Sequence, residues 1–187
     1  MILPIIAYGD PILRKKAKKL PEDYHDLQGL VDNMFESMYT AKGVGLAAPQ
    51  VGLSIRLFIL DTDQMEEEDR DQQEGIKKVF INPQIEEVNG EDYLFSEGCL
   101  SIPNIREEII RPEVVRIKYH DVDFKEYNEE YDGLIARVVL HEYDHLEGVL
   151  FTDKLQPLKK RLLKTKLNNI SKGKIQVDYR MKFPRAK

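Results

Sequence analysis

The pentapeptide His141-Glu142-Tyr143-Asp144-His145 constrains this chain more than any other feature. It lies in a run over 134–147 in which Leu134, Val138, His141 and His145 share one side, so the segment reads as a helix. Asp132-Gly133 marks the turn before it, and Gly148 is placed to end it. Helix positions four apart are rotated by about 400°, which sets both imidazoles on one face about a turn apart. Two neutral imidazoles so placed can hold a metal ion, with Glu142 beside it as a base. The plain alternative is a pair of solvated histidines. The chain holds only 4 His, yet two of them flank a Glu at ligand spacing, which favours the metal.

A catalytic centre of this type needs a third protein ligand and one open position. No His follows His145, and Glu147 is too near along the helix to serve. The strong remaining candidate is Cys99, the single cysteine, in the turn-like stretch Glu97-Gly98-Cys99-Leu100-Ser101 between strands. A lone cysteine is more often a small core residue, but its polar surroundings here suit a ligand. Thiolate with two imidazoles fits Zn²⁺, Co²⁺, Ni²⁺ or Fe²⁺ and not Mg²⁺ or Ca²⁺. One cysteine also rules out a disulfide within the chain and suits a reducing compartment. On these residues alone an H-E-x-x-H endopeptidase, which needs no Cys ligand, remains a rival.

Residues 43–52, Gly-Val-Gly-Leu-Ala-Ala-Pro-Gln-Val-Gly, match G-x-G-x-x-A on their face. A dinucleotide site is rejected because the segment follows an amphipathic helix instead of a strand, and Pro49 and Gly52 disrupt the helix that should open there. It reads better as a loop whose glycines let a substrate approach the main chain, with Gln50 offering an amide N–H.

The fold class expected is α+β: short, mostly antiparallel strands around the H-E-x-x-H helix, with an N-terminal helix and a C-terminal helix plus strand. Over 26–41, Leu27, Leu30, Val31, Met34, Phe35 and Met38 form one apolar helix face, with Asp26 as a first-turn acid. Strands are expected at 55–60, 78–82, 84–88, 105–110 and 114–120. Leu155, Leu158, Leu162, Leu163, Leu167 and Ile170 form a helical stripe ended by Gly173, and the alternation from Ile175 to Phe183 reads as a half-buried strand. The whole of 1–187 is expected to be a single domain, with a core of about 1–155 and a basic helix and strand over 156–187.

Charge is divided unevenly. From Lys154 to Lys187 there are 12 Lys/Arg against one acid, while the formal net charge of the chain is −5. A basic tail on an acidic body suits an anionic partner, or simply a solvated helix face. The acidic stretch 61–74 lacks apolar periodicity and is expected to be an exposed loop without a role. No apolar run is long enough for a membrane span, the N-terminus lacks the layout of a signal peptide, and a cytoplasmic protein is expected.

Taken together, G-V-G-L-A-A-P-Q (43–50), E-G-C-L-S (97–101) and H-E-Y-D-H (141–145) resemble the peptide deformylases, and the likeness covers most of 1–155. The resemblance implies a metal-dependent hydrolase that removes formate from the N-terminal formylmethionine of new polypeptides. It implies one divalent ion per chain, Fe²⁺ in the cell, with Zn²⁺, Ni²⁺ or Co²⁺ as substitutes. By the same resemblance Cys99, His141 and His145 would be metal ligands, Glu142 the acid/base, and Gln50 with the Leu100 N–H the donors to the oxyanion. Val44, Gly45 and Gly98 would meet the peptide backbone. Glu97, Leu134 and Val138 would lie near the methionine pocket, with Arg106 supporting Glu97. Leu140 stands where many members carry Gln, so altered packing is expected there. Partners implied are N-formylmethionyl nascent peptides and, through the basic tail, the ribosome; neither a membrane nor DNA is expected.

Overall fold

The computed structural model describes residues 1–65 and 74–184; most of the acidic stretch expected as a loop lies outside them. Among the described residues the elements are β1 (Ile5–Ile6), α1 (Leu27–Thr40), β2 (Gly45–Ala47), β3 (Leu57–Asp61), β4 (Lys77–Cys99), β5 (Ile102–His120), β6 (Glu126–Asp132), α2 (Gly133–Leu146), α3 (Pro157–Ser171) and β7 (Met181–Lys182). Strands β2-β3-β4-β5-β6 form one antiparallel sheet in that order, and β1 pairs with β7 in parallel. The α+β expectation holds.

The helix bearing the two histidines lies against the sheet. α2 packs on β2, β3, β5 and β6. Val138, Val139, Leu140 and Leu146 share a buried cluster with Phe58, Leu60, Phe80, Val115 and Ile117. Phe80 anchors that cluster, stacked on Phe58 at 4.5 Å between ring centroids and tilted against Tyr119 at 4.2 Å. Leu140 is buried here among apolar neighbours, as a leucine should be. On α1, Val31, Met34, Phe35 and Met38 are buried as the periodicity requires, but Asp26 sits before the helix at φ 54 with no side-chain capping bond.

The strands are not short. β4 runs 23 residues and β5 19, and they form one continuous hairpin. The sequence suggests breaks wherever Pro, Asn or Gly occurs, and the structure uses those residues as irregularities inside the ladder. The register shifts between Ile81 and Gln84, across Asn82 (φ 51) and Pro83, and again between Asn89 and Asp92, at Gly90 (φ 80). A bulge absorbs one residue and bends the strand without ending it. β6 carries no strong apolar alternation and is not legible in the sequence; its exposed acids blunt the sheet edge.

The tail departs from expectation twice. On α3, Leu163, Leu167 and Ile170 are buried, but Leu158 and Leu162 are 69% and 71% exposed. Six apolar residues therefore do not make one stripe. After α3 the alternation from Ile175 to Phe183 does appear as alternating burial, yet only Met181–Lys182 is hydrogen-bonded as strand. We expect Leu163→Ala to lower stability by about 2–4 kcal/mol in urea titrations. Leu162→Ala should change it by less than about 0.5 kcal/mol. Equal losses would restore the single stripe.

Candidate metal centre

Two elements distant in sequence converge. The β4–β5 hairpin ends in the two-residue tip Leu100-Ser101, and Cys99 is the last residue of β4, where the register shifts after Gly98. α2 presents His141 and His145 to that tip. One ligand atom from each of Cys99, His141 and His145 lies within 4.8 Å of the other two. Cys99 Sγ and His145 Nε2 are 3.3 Å apart. An ion bonded to sulfur and nitrogen at about 2.0–2.3 Å in tetrahedral geometry holds its donors roughly 3.3–3.7 Å apart, so this set is close to closing on one. The donors suit one divalent ion of the softer kind.

His141 is oriented from behind. Its Nδ1 lies 2.9 Å from Glu97 Oε2, which leaves Nε2 for the site. Glu97 is held in turn by Arg111, through Nε at 2.6 Å and Nη2 at 2.9 Å, and by Arg137 Nη1 at 2.8 Å. Arg111 also donates to Asp144 at 2.7 Å. Burial would raise the Glu97 carboxyl, but Arg111 and His141 hold it well below the usual range. Burial would likewise lower His141, but the Cys99 sulfur and Glu97 outweigh it and hold His141 up at about 10. His145 is driven down by burial and by His141. Cation binding favours the deprotonated thiolate and imidazoles, so it acts with the low-lying His145 and against the raised His141.

Glu142, next to His141 on the helix, packs its carboxyl against Gly45 of β2. Its Oε2 is buried without a hydrogen-bond partner, and burial pushes its carboxyl up to about 7, against the pull of His141 and Arg111. A Cβ at Gly45 would come within 2.5 Å of Glu142 Oε1, so only glycine leaves room for the carboxyl. Gln50 sits on the 3₁₀ turn 48–51 that follows β2. The Ala47 N–H donates to its Oε1 at 2.8 Å, which turns Nε2 toward Cys99 Sγ at 3.5 Å and Ser101 Oγ at 3.3 Å. The Gln50 amide is thereby fixed as a donor into the site.

The structure thus brings together Cys99, His141, His145, Glu142, Gln50, Gly45 and the Leu100 backbone. Val44 precedes β2 and is half-buried, and Gly98 lies opposite Arg106 in the hairpin. Leu134 and Val138, 6% and 7% exposed, lie on α2 in the turns before His141. Two corrections follow. Arg106 does not support Glu97: it is exposed and bonds the Ser96 carbonyl at 2.7 Å. Glu97 itself is 5% exposed and spends its oxygens on Arg111, Arg137 and His141, so it braces His141 more directly than it walls a pocket. Arg111 and Arg137 escape the sequence reading. The signal available was an arginine inside an apolar run, Ile109-Ile110-Arg111 and Ile135-Ala136-Arg137-Val138, which demands a buried partner.

Comparison with known proteins agrees with this geometry. The polypeptide deformylase family profile matches residues 2–161. A peptide deformylase of Christiangramia forsetii is 56% identical over 193 residues, covering 100% of this chain and 98% of the relative. One from Flavobacterium psychrophilum is 54% identical, covering 98% and 97%. Among solved structures, a peptide deformylase from Legionella pneumophila superposes with a TM-score of 0.81 at 38% identity, covering 93% of this chain and 98% of that one. A plant peptide deformylase gives 0.82 at 38%, covering 92% and 90%. The chain belongs to the polypeptide deformylase family and is a hydrolase that removes the N-formyl group from nascent peptides.

Proposed function

We propose that Cys99, His141 and His145 hold the divalent ion and that Glu142 moves the proton during deformylation. The observation that carries this reading is the convergence of three soft ligand atoms beside a buried, partnerless carboxyl oxygen. When bound, the ion supplies Lewis acidity, which acidifies water and polarises a carbonyl. Glu142, raised by burial to about 7, is poised to take a proton from the attacking water and later release it. As the water oxygen bonds to the formyl carbon, charge gathers on the formyl oxygen, where Gln50 Nε2 and the Leu100 N–H donate. Glu142 then delivers its proton to the leaving nitrogen as the C–N bond breaks, giving formate and a free amino terminus.

The remaining assignments are of binding. Val44, Gly45 and Gly98 offer main-chain groups to the peptide, as at a strand edge. Leu134 and Val138, with Glu97 behind them, border the side-chain pocket for an unbranched thioether. The formyl carbon carries only hydrogen where acetyl carries a methyl, so a tight wall beside Glu142 excludes acetylated ends.

We assign Fe²⁺ as the cellular ion on the likeness to the family; the chemistry of one thiolate and two imidazoles admits Zn²⁺, Ni²⁺ or Co²⁺ equally. The whole of 1–187 is proposed to act as one catalytic unit in the cytoplasm. No helix among the described residues is long and apolar enough to cross a membrane. α3 presents exposed Lys164 and Lys166 with Leu158 and Leu162, and this face is proposed to meet the ribosome.

Anaerobically purified protein should release formate from formyl-Met-Ala-Ser and not acetate from acetyl-Met-Ala-Ser. Glu142→Gln should lower kcat/KM by at least about 10³-fold while the ion stays bound. Retained activity in that variant would remove Glu142 from the reaction. Glu97→Gln should weaken metal affinity about 10- to 100-fold in chelator competition. An unchanged affinity would make the Glu97–His141 contact incidental. Ribosome co-sedimentation should fall with added salt and on reversing Lys164 and Lys166 to Glu; salt-independent binding would discount the α3 face.

A further inference from the structure

We propose that Tyr179, on the C-terminal strap 174–184, is a positioning residue that holds the Leu100 N–H in its donor orientation by fixing the hairpin tip from behind. The strap lies outside residues 2–161 matched by the family profile. The inference rests on the reading of the Leu100 N–H as a donor to the formyl oxygen.

The tip of a hairpin is its least constrained part. Leu100 and Ser101 fall between the last paired residues, Cys99 and Ile102, and have no ladder partner of their own. Their carbonyls would ordinarily go to water. Here both are taken by groups from distant segments. Tyr179 Oη donates to Leu100 O at 2.7 Å, and the Tyr8 N–H donates to Ser101 O at 2.8 Å. The Leu100 side chain is held as well: a Cβ on Gly43 would stand 2.7 Å from its Cδ1, so the two are already in close contact.

The Leu100 N–H lies in the peptide plane between Cys99 and Leu100, so swinging it away from the site is a rotation about ψ of Cys99 and φ of Leu100. The φ rotation turns that plane against the Leu100 Cα, its side chain and the next plane, between Leu100 and Ser101. That next plane is tied by Tyr179, and the side chain is in contact with Gly43. On the other side the plane begins at Cys99, which is paired with Ile102 across the hairpin and belongs to the ligand cluster. The swing is therefore opposed at both ends. Such fixed donors stabilise developing charge because they need not reorganise when the charge appears.

The strap is built to deliver that hydroxyl. Gly173, at φ +68, turns the chain after α3. The Ile5 N–H donates to Arg180 O and the Ala7 N–H to Lys182 O, both at 2.9 Å, which brackets the strap just beyond Tyr179. On its other side Asn104 Nδ2 donates to Gln176 O at 3.2 Å. Ile175, Met181 and Phe183 pack on the cluster that Cys99 borders. A phenol reaches further than Ser or Thr could, and its ring is half-buried against the cluster that includes Leu100.

The test compares Tyr179→Phe, which removes one oxygen, with Gln50→Ala and with Phe183→Leu, a packing change at the far end of the strap. For Tyr179→Phe we expect kcat on formyl-Met-Ala-Ser to fall roughly tenfold. KM, bound metal and the calorimetric Kd for the product peptide Met-Ala-Ser should stay as in the parent, with the thermal midpoint down by no more than about 4 °C. Phe183→Leu should lower the midpoint comparably and leave kcat unchanged. An unaltered kcat in Tyr179→Phe beside a reduced one in Gln50→Ala would overturn the proposal and leave the donor reading standing. Unaltered kcat in both would remove the donor reading and the proposal with it. A rise in KM alone, or an equal loss of kcat in Phe183→Leu, would reduce Tyr179 to a structural part.

Discussion

The buried Glu97 carboxylate is the constraint on which the rest of this molecule depends. It receives Arg111 from β5 and Arg137 from α2 and meets His141 of α2, while it sits on β4 itself. Three elements are thus bolted at one point. Burying three charged groups, Glu97, Arg111 and Arg137, with Asp144 half-buried beside them, carries a heavy desolvation cost. It is tolerable only because signs alternate and nearly every donor has an acceptor. Arg137 adds carbonyl acceptors at Ile109 and Tyr93, and lies over the Tyr93 ring at 4.3 Å. Hydrophobic packing alone would let α2 slide on the sheet by a fraction of a turn. A planar guanidinium fork meeting a carboxylate would not.

That bolt sets the distance between the hairpin tip and the histidines. Cys99 is two residues beyond Glu97 along β4, and His141 is four residues beyond Arg137 along α2. Fixing one contact therefore fixes the next pair along each element, and Cys99 meets the two histidines as a consequence of the ion-pair geometry. Glu142 is handled by the opposite means. It has no charged partner at its oxygens and sits where glycine has cleared a space, which keeps its proton affinity high. One helix thus carries a histidine kept in place by charge and a carboxyl kept basic by the lack of it.

How much of this the sequence reveals depends on whether the signal is local. The two His at spacing four, the apolar face of α1 and the helix over 134–147 follow from one-dimensional periodicity and appear in the structure as read. The β4–β5 hairpin does not, because Asn82, Pro83 and Gly90 look like strand ends until their partners across the ladder are known. The tie on Glu97 was equally hidden. Arg106 and Arg111 are both on β5, five residues apart and so on opposite faces, and with Ile109 and Ile110 adjacent the apolar pattern does not say which face looks inward. Leu158 and Leu162 fit a helical stripe by spacing, but α3 extends past the surface that could cover them.

The parallel pairing of Ile5–Ile6 with Met181–Lys182 has a consequence for how the molecule is made. It joins positions separated by nearly the entire chain, and parallel pairing at such separation can form only after everything between has been synthesised. The sheet and α2, with Cys99, His141 and His145, are all translated earlier. During its own synthesis the chain therefore reaches a stage at which the proposed metal centre exists without the β1–β7 pairing.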